Sequence, residues 1–310
     1  MNKLISIVTP TYNEVDNIEI LYSRLNKVWE NHNNYNFELI IIDNASSDGT
    51  IEKLKTIASH DMRVKVIINN KNYGHLRSPY WGMLQAFGDG VIFLASDLQD
   101  PPELISEFIQ KWESGAKIAL GIKPSSSLSG FSHNLRKIYY RVLSKISSFE
   151  VVKDATGFGI YDKKVMDLIR QINDPHPYFR GLVSELGFPI ATIEFKQPRR
   201  LRGVSKNNLY SLFDMAMMGL VSSSLVPIRV ASFTGIILGG LSIVIGLVFL
   251  IVKLIWWNLI PFGIAPLAIS LMFLVGLILI SIGILGEYVA SIIPYIKNRP
   301  IVIEDERINF

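Results

Sequence analysis

The feature that most limits what this chain can fold into is the near disappearance of charge after Arg229. Val230 to Val252 holds no ionisable side chain. At about 23 residues it is long enough to cross the hydrocarbon core of a bilayer as a helix. Leu259 to Gly286 is a second uncharged run, about 28 residues, with Pro261 and Pro266 near its start. Core helices of soluble proteins rarely run so far without a polar position, so two membrane spans are expected. Arg199, Arg200, Arg202, Lys206 and Arg229 precede the first run, and Lys297, Arg299 and Arg307 follow the second. The link between them offers only Lys253, beside Trp256 and Trp257. Basic residues stay on the cytoplasmic side and Trp favours the interface, so both termini are expected in the cytoplasm.

The remainder divides around that pair. Residues 1–206 carry charge throughout and read as a cytoplasmic soluble domain, 229–290 as a two-helix membrane anchor, and 291–310 as a cytoplasmic tail. Within 207–228, apolar Leu209, Leu212, Phe213, Ala216, Met217 and Leu220 with the single charge of Asp214 suggest a helix lying in the membrane interface. Lys3 leads into a short strand rather than a full apolar segment, so no cleavable secretory signal is expected. With 0 cysteines, disulfides, thiolate catalysis and Cys-type zinc sites are excluded. The net charge of +4 suits an anionic leaflet, and no nucleic-acid partner is expected.

The soluble part alternates short apolar runs with helical patterns. Leu4 to Thr9, Phe37 to Asp43, Val64 to Ile68, Val91 to Ala95 and Ile118 to Leu120 read as strands, and Ile18, Leu21, Leu25 and Val28 mark the first intervening helix. Such alternation implies an α/β fold with a mainly parallel sheet, whose polar strand ends gather on one edge. Thr9, Asp43, Asn72 and Asp97 should therefore line one crevice. After the fourth strand comes Ser96-Asp97-Leu98-Gln99-Asp100-Pro101-Pro102-Glu103. The proline pair stops the strand and suits a helix start, leaving hard oxygen ligands where open sheets bind substrates. Asp97 can hold a divalent cation there, or Asp100 can cap the helix that carries Glu103. No Gly-rich dinucleotide fingerprint or Walker-type loop is present.

The strings TPTYNE at Thr9 to Glu14, IIDNASSDGT at Ile41 to Thr50, NYGH at Asn72 to His75 and SDLQDPPE at Ser96 to Glu103 resemble the inverting family-2 glycosyltransferases of GT-A, Rossmann-like fold. Their order, with the paired spans, resembles the polyprenyl-phosphate group, which includes dolichol-phosphate mannose synthase and the bactoprenol glucosyltransferases. The resemblance implies transfer of a sugar from a nucleotide-diphosphate donor, UDP-linked by preference, to a polyprenyl phosphate, undecaprenyl phosphate by preference, at the cytoplasmic membrane. It implies that Pro10, Tyr12, Glu14, Asp43, Asn72, His75 and Ser96 serve the donor, and that Asp97 with Gln99 binds Mg²⁺ or Mn²⁺. Asp97 and Asp154 are the expected catalytic carboxylates, Asp154 as a base or a polar anchor. Arg136, Arg141, Arg180, Arg200, Arg202, Ser205 and Lys206 are expected around the acceptor phosphate and the diphosphate. Structural roles stand beside these: Tyr12 as packing, Glu14 at a helix start, Asp48 as an Asx turn or cap, and His75 at a helix start or on phosphate. A homo-oligomer, a tetramer in some relatives, is left open.

Three positions depart from the pattern of that family. Asn44 follows Asp43 where paired carboxylates are frequent, Ala95 stands where Asp-Ala-Asp would begin, and Gly157 stands where relatives carry a proposed catalytic carboxylate. A phosphate monoester is already an oxyanion at neutral pH and needs orientation more than a base, so the last change is compatible with activity. A processive polysaccharide synthase would carry a Gln-x-x-Arg-Trp motif and further spans. A non-catalytic membrane adaptor would explain the lost carboxylates but not the retention of Asp97, Gln99, Asp100 and Ser205-Lys206.

Overall fold

The strands form where buried β-branched residues alternate between two faces. In the computed structural model, which describes residues 2–123, 144–147, 152, 155–172, 174–175, 177–198, 216–222, 224–255, 264–297 and 299–310, eight strands make one sheet. These are β1 (Lys3–Thr11), β2 (Tyr35–Asp43), β3 (Val64–Asn69), β4 (Gly90–Phe93), β5 (Ile118–Ile122), β6 (Ala155–Asp162), β7 (Ile190–Glu194) and β8 (Glu304–Ile308). Their order is β7-β5-β6-β4-β1-β2-β3-β8. The pairs β1–β2, β1–β4, β2–β3 and β5–β7 are parallel, whereas β6 against β4 and β5, and β8 against β3, are antiparallel. The expected α/β architecture with a mainly parallel sheet is thus present.

Helices cover both faces. Ile5, Ile7, Leu39 and Ile41 point to the side of α1 (Val15–Glu30), α2 (Thr50–His60) and α4 (Ile105–Glu113), meeting Leu21, Leu54 and Phe108. Val8, Ile40 and Ile42 point to the other side, against Tyr80 and Met83 of α3 (Gly74–Leu84) and Val165 and Ile169 of α5 (Lys163–Ile172). A further short helix, α6 (Phe179–Glu185), carries Val183 into this second layer. The period of two along each strand is why neither face reads as an amphipathic helix. Ile18, Leu21, Leu25 and Val28 are all buried, as their helical spacing requires. Helix α3 stops at Leu84 and leaves Phe87 exposed.

Two long helices follow, α7 (Val226–Ile255) and α8 (Ile264–Lys297). Their apolar side chains face outward: Phe233, Ile236, Leu279 and Ile296 are more than half exposed. Among the described residues, Phe273–Lys297 is long and apolar enough to cross a membrane, and Val226–Leu241 qualifies when taken with the helical stretch Ala216–Ser222. The remainder of 207–228 proposed for the interfacial helix, and Trp256 and Trp257, fall largely outside the described residues. Helix α8 is tied to the soluble part at Tyr295, whose hydroxyl donates to Asp174 Oδ1 (2.9 Å), and to the segment before α7 at Tyr288, whose hydroxyl donates to the Ser224 carbonyl.

The tail does not trail away. Residues Glu304–Ile308 form β8 on the open edge of β3. Arg77 donates to the Pro300 carbonyl (2.9 Å), the Asn70 N–H to Ile303 O (3.1 Å), and Asn309 Nδ2 to Ala58 O (2.8 Å) and Val64 O (2.9 Å). An unpaired strand edge is an aggregation hazard, and here the polar sequence EDERI closes it.

Candidate functional site

The carboxyl ends of β1, β2, β3 and β4 lie side by side, and side chains bind their loops together. Asn13 N–H donates to Ser46 Oγ (2.8 Å), Ser47 N–H to Asn13 Oδ1 (2.9 Å), and Glu14 N–H to Thr50 Oγ1 (3.1 Å). Asn44 joins the β2 loop to the β3 loop by donating to Asn72 Oδ1 (2.8 Å), and Ser96 Oγ joins the β4 loop to β1 by donating to Pro10 O (2.9 Å). Asn13, Ala45 and Leu98 all have left-handed backbone, with φ of 56°, 63° and 59°. Each costs of order 1–3 kcal/mol, a cost that persists only where surrounding contacts over-determine it. Three such residues at the ends of three neighbouring strands mark this rim as the working edge of the sheet.

The expected donor residues come together here, with differing accessibility. Asp43 is 0% exposed, and its two oxygens accept the Ser46 N–H (2.8 Å) and hydroxyl (2.6 Å). Burial pushes its pKa up and the Asp48 charge adds to that, against the lowering by Ser46. Glu14 opens α1, where its carboxylate accepts from Asn17 Nδ2 (2.5 Å). Asp48 is an Asx turn that also reaches across loops: Oδ1 accepts from Thr50 N–H (3.1 Å) and Oδ2 from Val15 N–H (3.2 Å). Burial raises the Asp48 pKa, but the hydrogen bonds from Thr50 and Val15 outweigh it and hold the carboxyl below its ordinary range. Asn72 and His75 are exposed at the start of α3, and Tyr12 is half-buried. The Thr9 hydroxyl, by contrast, is buried beneath the rim.

The other half of the rim concentrates charge. Asp97 is half-buried, and its Oδ1 accepts the Gln99 N–H (3.2 Å). Asp100 does not cap the following helix, because Pro101 holds that position. Its side chain turns back to accept the Ala95 N–H and is only 5% exposed. Burial pushes Asp100 up to about 6; Lys123 lowers it, Asp97 raises it, and Ala95 N–H and Arg180 lower it again. Asp97, Asp100, Lys123 and Arg180 therefore share one electrostatic neighbourhood. Sequence reasoning missed Lys123, and it assigned Asp100 no place beside Asp97; the signal available was Lys123 at the end of a strand expected to point at the same edge.

Because β6 runs antiparallel to β4, its first residues arrive at this edge. Gly157 has φ of +90°, and a side chain there would lie 4.0 Å from Arg180 Nε and 3.9 Å from the Phe93 ring. Arg180 donates to Thr156 O (2.9 Å). A small cleft opens here, lined by Gly157, Arg180, Tyr161, Tyr178 and apolar Leu120 and Val183. The remaining expected residues, Asp154, Arg136, Arg141, Arg200, Arg202, Ser205 and Lys206, lie outside the described residues.

Oxygen donors at Asp97 and Gln99 suit a hard divalent cation of the magnesium kind, which takes one or two carboxylates and completes its shell with substrate phosphates and water. Among the described residues no three His, Cys, Asp or Glu side chains gather.

The sequence pattern of the family described as Glycosyl transferase family 2 matches residues 6–169, from β1 into α5. This chain belongs to glycosyltransferase family 2. The matched segment contains β1 to β6 and their rim loops but ends before Arg180, and relatives extend the match through the long helices. A glycosyltransferase of Bacillus subtilis, YkcC, is 33% identical over 96% of this chain and 92% of its own length. A prophage-derived bactoprenol glucosyl transferase of Shigella flexneri is 30% identical, covering 96% of each chain. Among solved structures, glucosyl-3-phosphoglycerate synthase of Mycobacterium tuberculosis is similar with a TM-score of 0.48 and 18% identity, over 71% of this chain and 76% of that one.

Proposed function

We propose that this glycosyltransferase moves a sugar from a nucleoside-diphosphate donor, a UDP-sugar by preference, to the phosphate of a polyprenyl carrier, undecaprenyl phosphate by preference. The transfer takes place at the cytoplasmic membrane face and inverts the anomeric carbon. The observation that carries this reading is the attachment of the strand-end crevice to outward-facing apolar helices by the fold itself, at Tyr295–Asp174 and through β8. An enzyme acting on a small soluble acceptor has no need of that attachment, whereas a lipid phosphate presents its reactive oxygen only at the headgroup level. The names of the bactoprenol relatives accord with it.

In this reading Asp43, Asn72, His75, Tyr12, Glu14, Pro10 and Ser96 form the donor side. The acceptor phosphate enters beside Arg180, with Arg136, Arg141, Arg200, Arg202, Ser205 and Lys206 supplying further contacts. One phosphate oxygen forms the new bond to the anomeric carbon while the bond to the diphosphate breaks and the diphosphate leaves with the electron pair. The attacking oxyanion already exists near pH 7, so Arg180 orients it and Gly157 leaves no gap in the proton balance. Asp97 and the Gln99 amide oxygen would hold a divalent cation, which would supply Lewis-acid compensation for charge on the leaving diphosphate. Asp154 serves as a base or an anchor near the acceptor.

A membrane hairpin, with the soluble domain and both termini on one side, completes the proposal. What supports two crossings is that β1 to β7 precede the long helices and β8 follows them in the same sheet, so the number of crossings is even. The test is to incubate the purified full-length protein in detergent with a panel of nucleotide sugars, with and without undecaprenyl phosphate. Nucleotide release that requires the lipid, together with sugar appearing in the organic phase, is the expected result. Absence of both across the panel, under conditions where the Shigella relative turns over, would leave an adaptor as the better reading.

A further inference from the structure

Asn44 sits where a second carboxylate is frequent in the family, and every hydrogen-bonding position of its amide is used. Its Oδ1 accepts from Tyr73 N–H (2.8 Å) and from Asn69 Nδ2 (3.1 Å). Its Nδ2 donates to Asn72 Oδ1 (2.8 Å) and to Gly74 O (3.2 Å). The two main-chain partners settle which end of the amide is which, because an N–H can only donate and a carbonyl can only accept. Asn72 Oδ1 also takes the Gly74 N–H (2.7 Å), so its orientation is settled as well. Asn69 passes its other proton to Ser78 Oγ (3.0 Å) on α3. The side chain of Asn44 is 7% exposed, and Asn69 and Ser78 are buried.

We propose that Asn44 is a positioning residue that shapes the Asn72–Gly74 turn on the donor side of the crevice, and that it can do so only as an amide. A carboxylate in its place accepts but does not donate. It would face Asn72 Oδ1 and the Gly74 carbonyl, two acceptors, across hydrogen-bonding distance. Turning the Asn72 amide around removes the first conflict, leaves the clash with the Gly74 carbonyl, and takes the acceptor away from the Gly74 N–H. Asn44 and Asn72 are therefore a matched pair, and the apparent loss of a carboxylate is a change in how the turn is built. With both protons and both acceptor positions of Asn44 committed, contact with a ligand falls to Asn72, whose oxygen is spent inside the turn and whose NH₂ lies outside this network. An NH₂ at that point suits an acceptor atom of a nucleotide, which rests on the donor reading above.

The test uses the full-length protein in detergent. In Asn44→Asp, amide hydrogen exchange across 69–77 is expected to accelerate about tenfold or more, while exchange in β1 and β2 stays as in the unsubstituted protein. Uridine diphosphate, used as the probe, is expected to bind about tenfold more weakly, with the donor KM raised and kcat at saturation held within about twofold. Asn72→Ala, an exposed position that does not threaten folding, is expected to reproduce the exchange change if Asn44→Asp fails to accumulate. Unchanged exchange in either variant, or a fall in kcat at unchanged KM, would overturn the proposal. Should the unsubstituted protein itself not bind uridine diphosphate, the donor reading falls and the exchange measurement alone decides the role of Asn44.

Discussion

The two halves of the strand-end rim are built from different chemistry. On the β1–β2–β3 side, loops are joined by amides, hydroxyls and main-chain groups, and the central carboxylate, Asp43, is wholly buried and bonded to Ser46. On the β4–β6 side, the charges of Asp97, Lys123 and Arg180 all act on buried Asp100. Hydrogen-bond networks hold a shape where their groups are paired, as those of Asn44 are. Charged groups left to interact through space respond strongly to an incoming ion or phosphate. Under the proposed function, recognition falls to the first half and the handling of charge to the second.

Removing the central charge is the harshest way to break that division. Asp97→Ala is expected to lower turnover by about a hundredfold or more, the scale of losing one dedicated electrostatic contact in an active site. A loss of less than tenfold, measured with saturating donor and divalent cation, would take Asp97 out of the cation role.

A pH titration sharpens the comparison from the other side. Asp100 stands at about 6 in the folded chain, against about 3.9 unfolded. The folded state therefore holds the proton more tightly, and the stability this lends is complete below about pH 3.9 and lost as pH rises through about 6. Relative to Asp100→Asn, the protein without divalent cation should lose about 2–3 kcal/mol of unfolding free energy between pH 4 and 7. A flat difference would mean that Lys123 and Arg180 already neutralise the pocket. Arg180→Ala should cost about tenfold to a hundredfold in kcat/KM for the acceptor, as expected for a hydrogen bond to a charged group. Unchanged acceptor kinetics would move the phosphate site away from the Gly157 cleft.

The smallest effect belongs to the hydrogen-bonded half. Ser46→Ala removes one partner from buried Asp43 and the acceptor of the Asn13 N–H, and should cost about 1–3 kcal/mol of stability while leaving kcat within about threefold. A large kcat loss at unchanged stability would show that the two halves do not divide the work as described.

Much of the fold was legible because β1 to β5 are buried runs bounded by polar turns, and the helix of Ile18, Leu21, Leu25 and Val28 carries a clear period. β8 was not. The sequence EDERI has no apolar alternation, and its strand exists only because β3 offers an edge and Asn309 fixes the end. The antiparallel placement of β6 was equally hidden, since insertion between β4 and β5 is a long-range choice. Of the site, the convergence of Asp43, Asn72 and Asp97 followed from topology alone. The inward turn of Asp100 and the saturation of Asn44 depend on burial and on which partners meet, and residue spacing encodes neither.

The position of β8 also sets an order of events. During synthesis β1 to β3 leave the ribosome long before Glu304, with both apolar helices still to come. The β3 edge stays open throughout that interval and can close only once both long helices have been made. Completion of the sheet thus waits on the last residues synthesised, and a chain that stops before Glu304 would carry an exposed edge prone to aggregation.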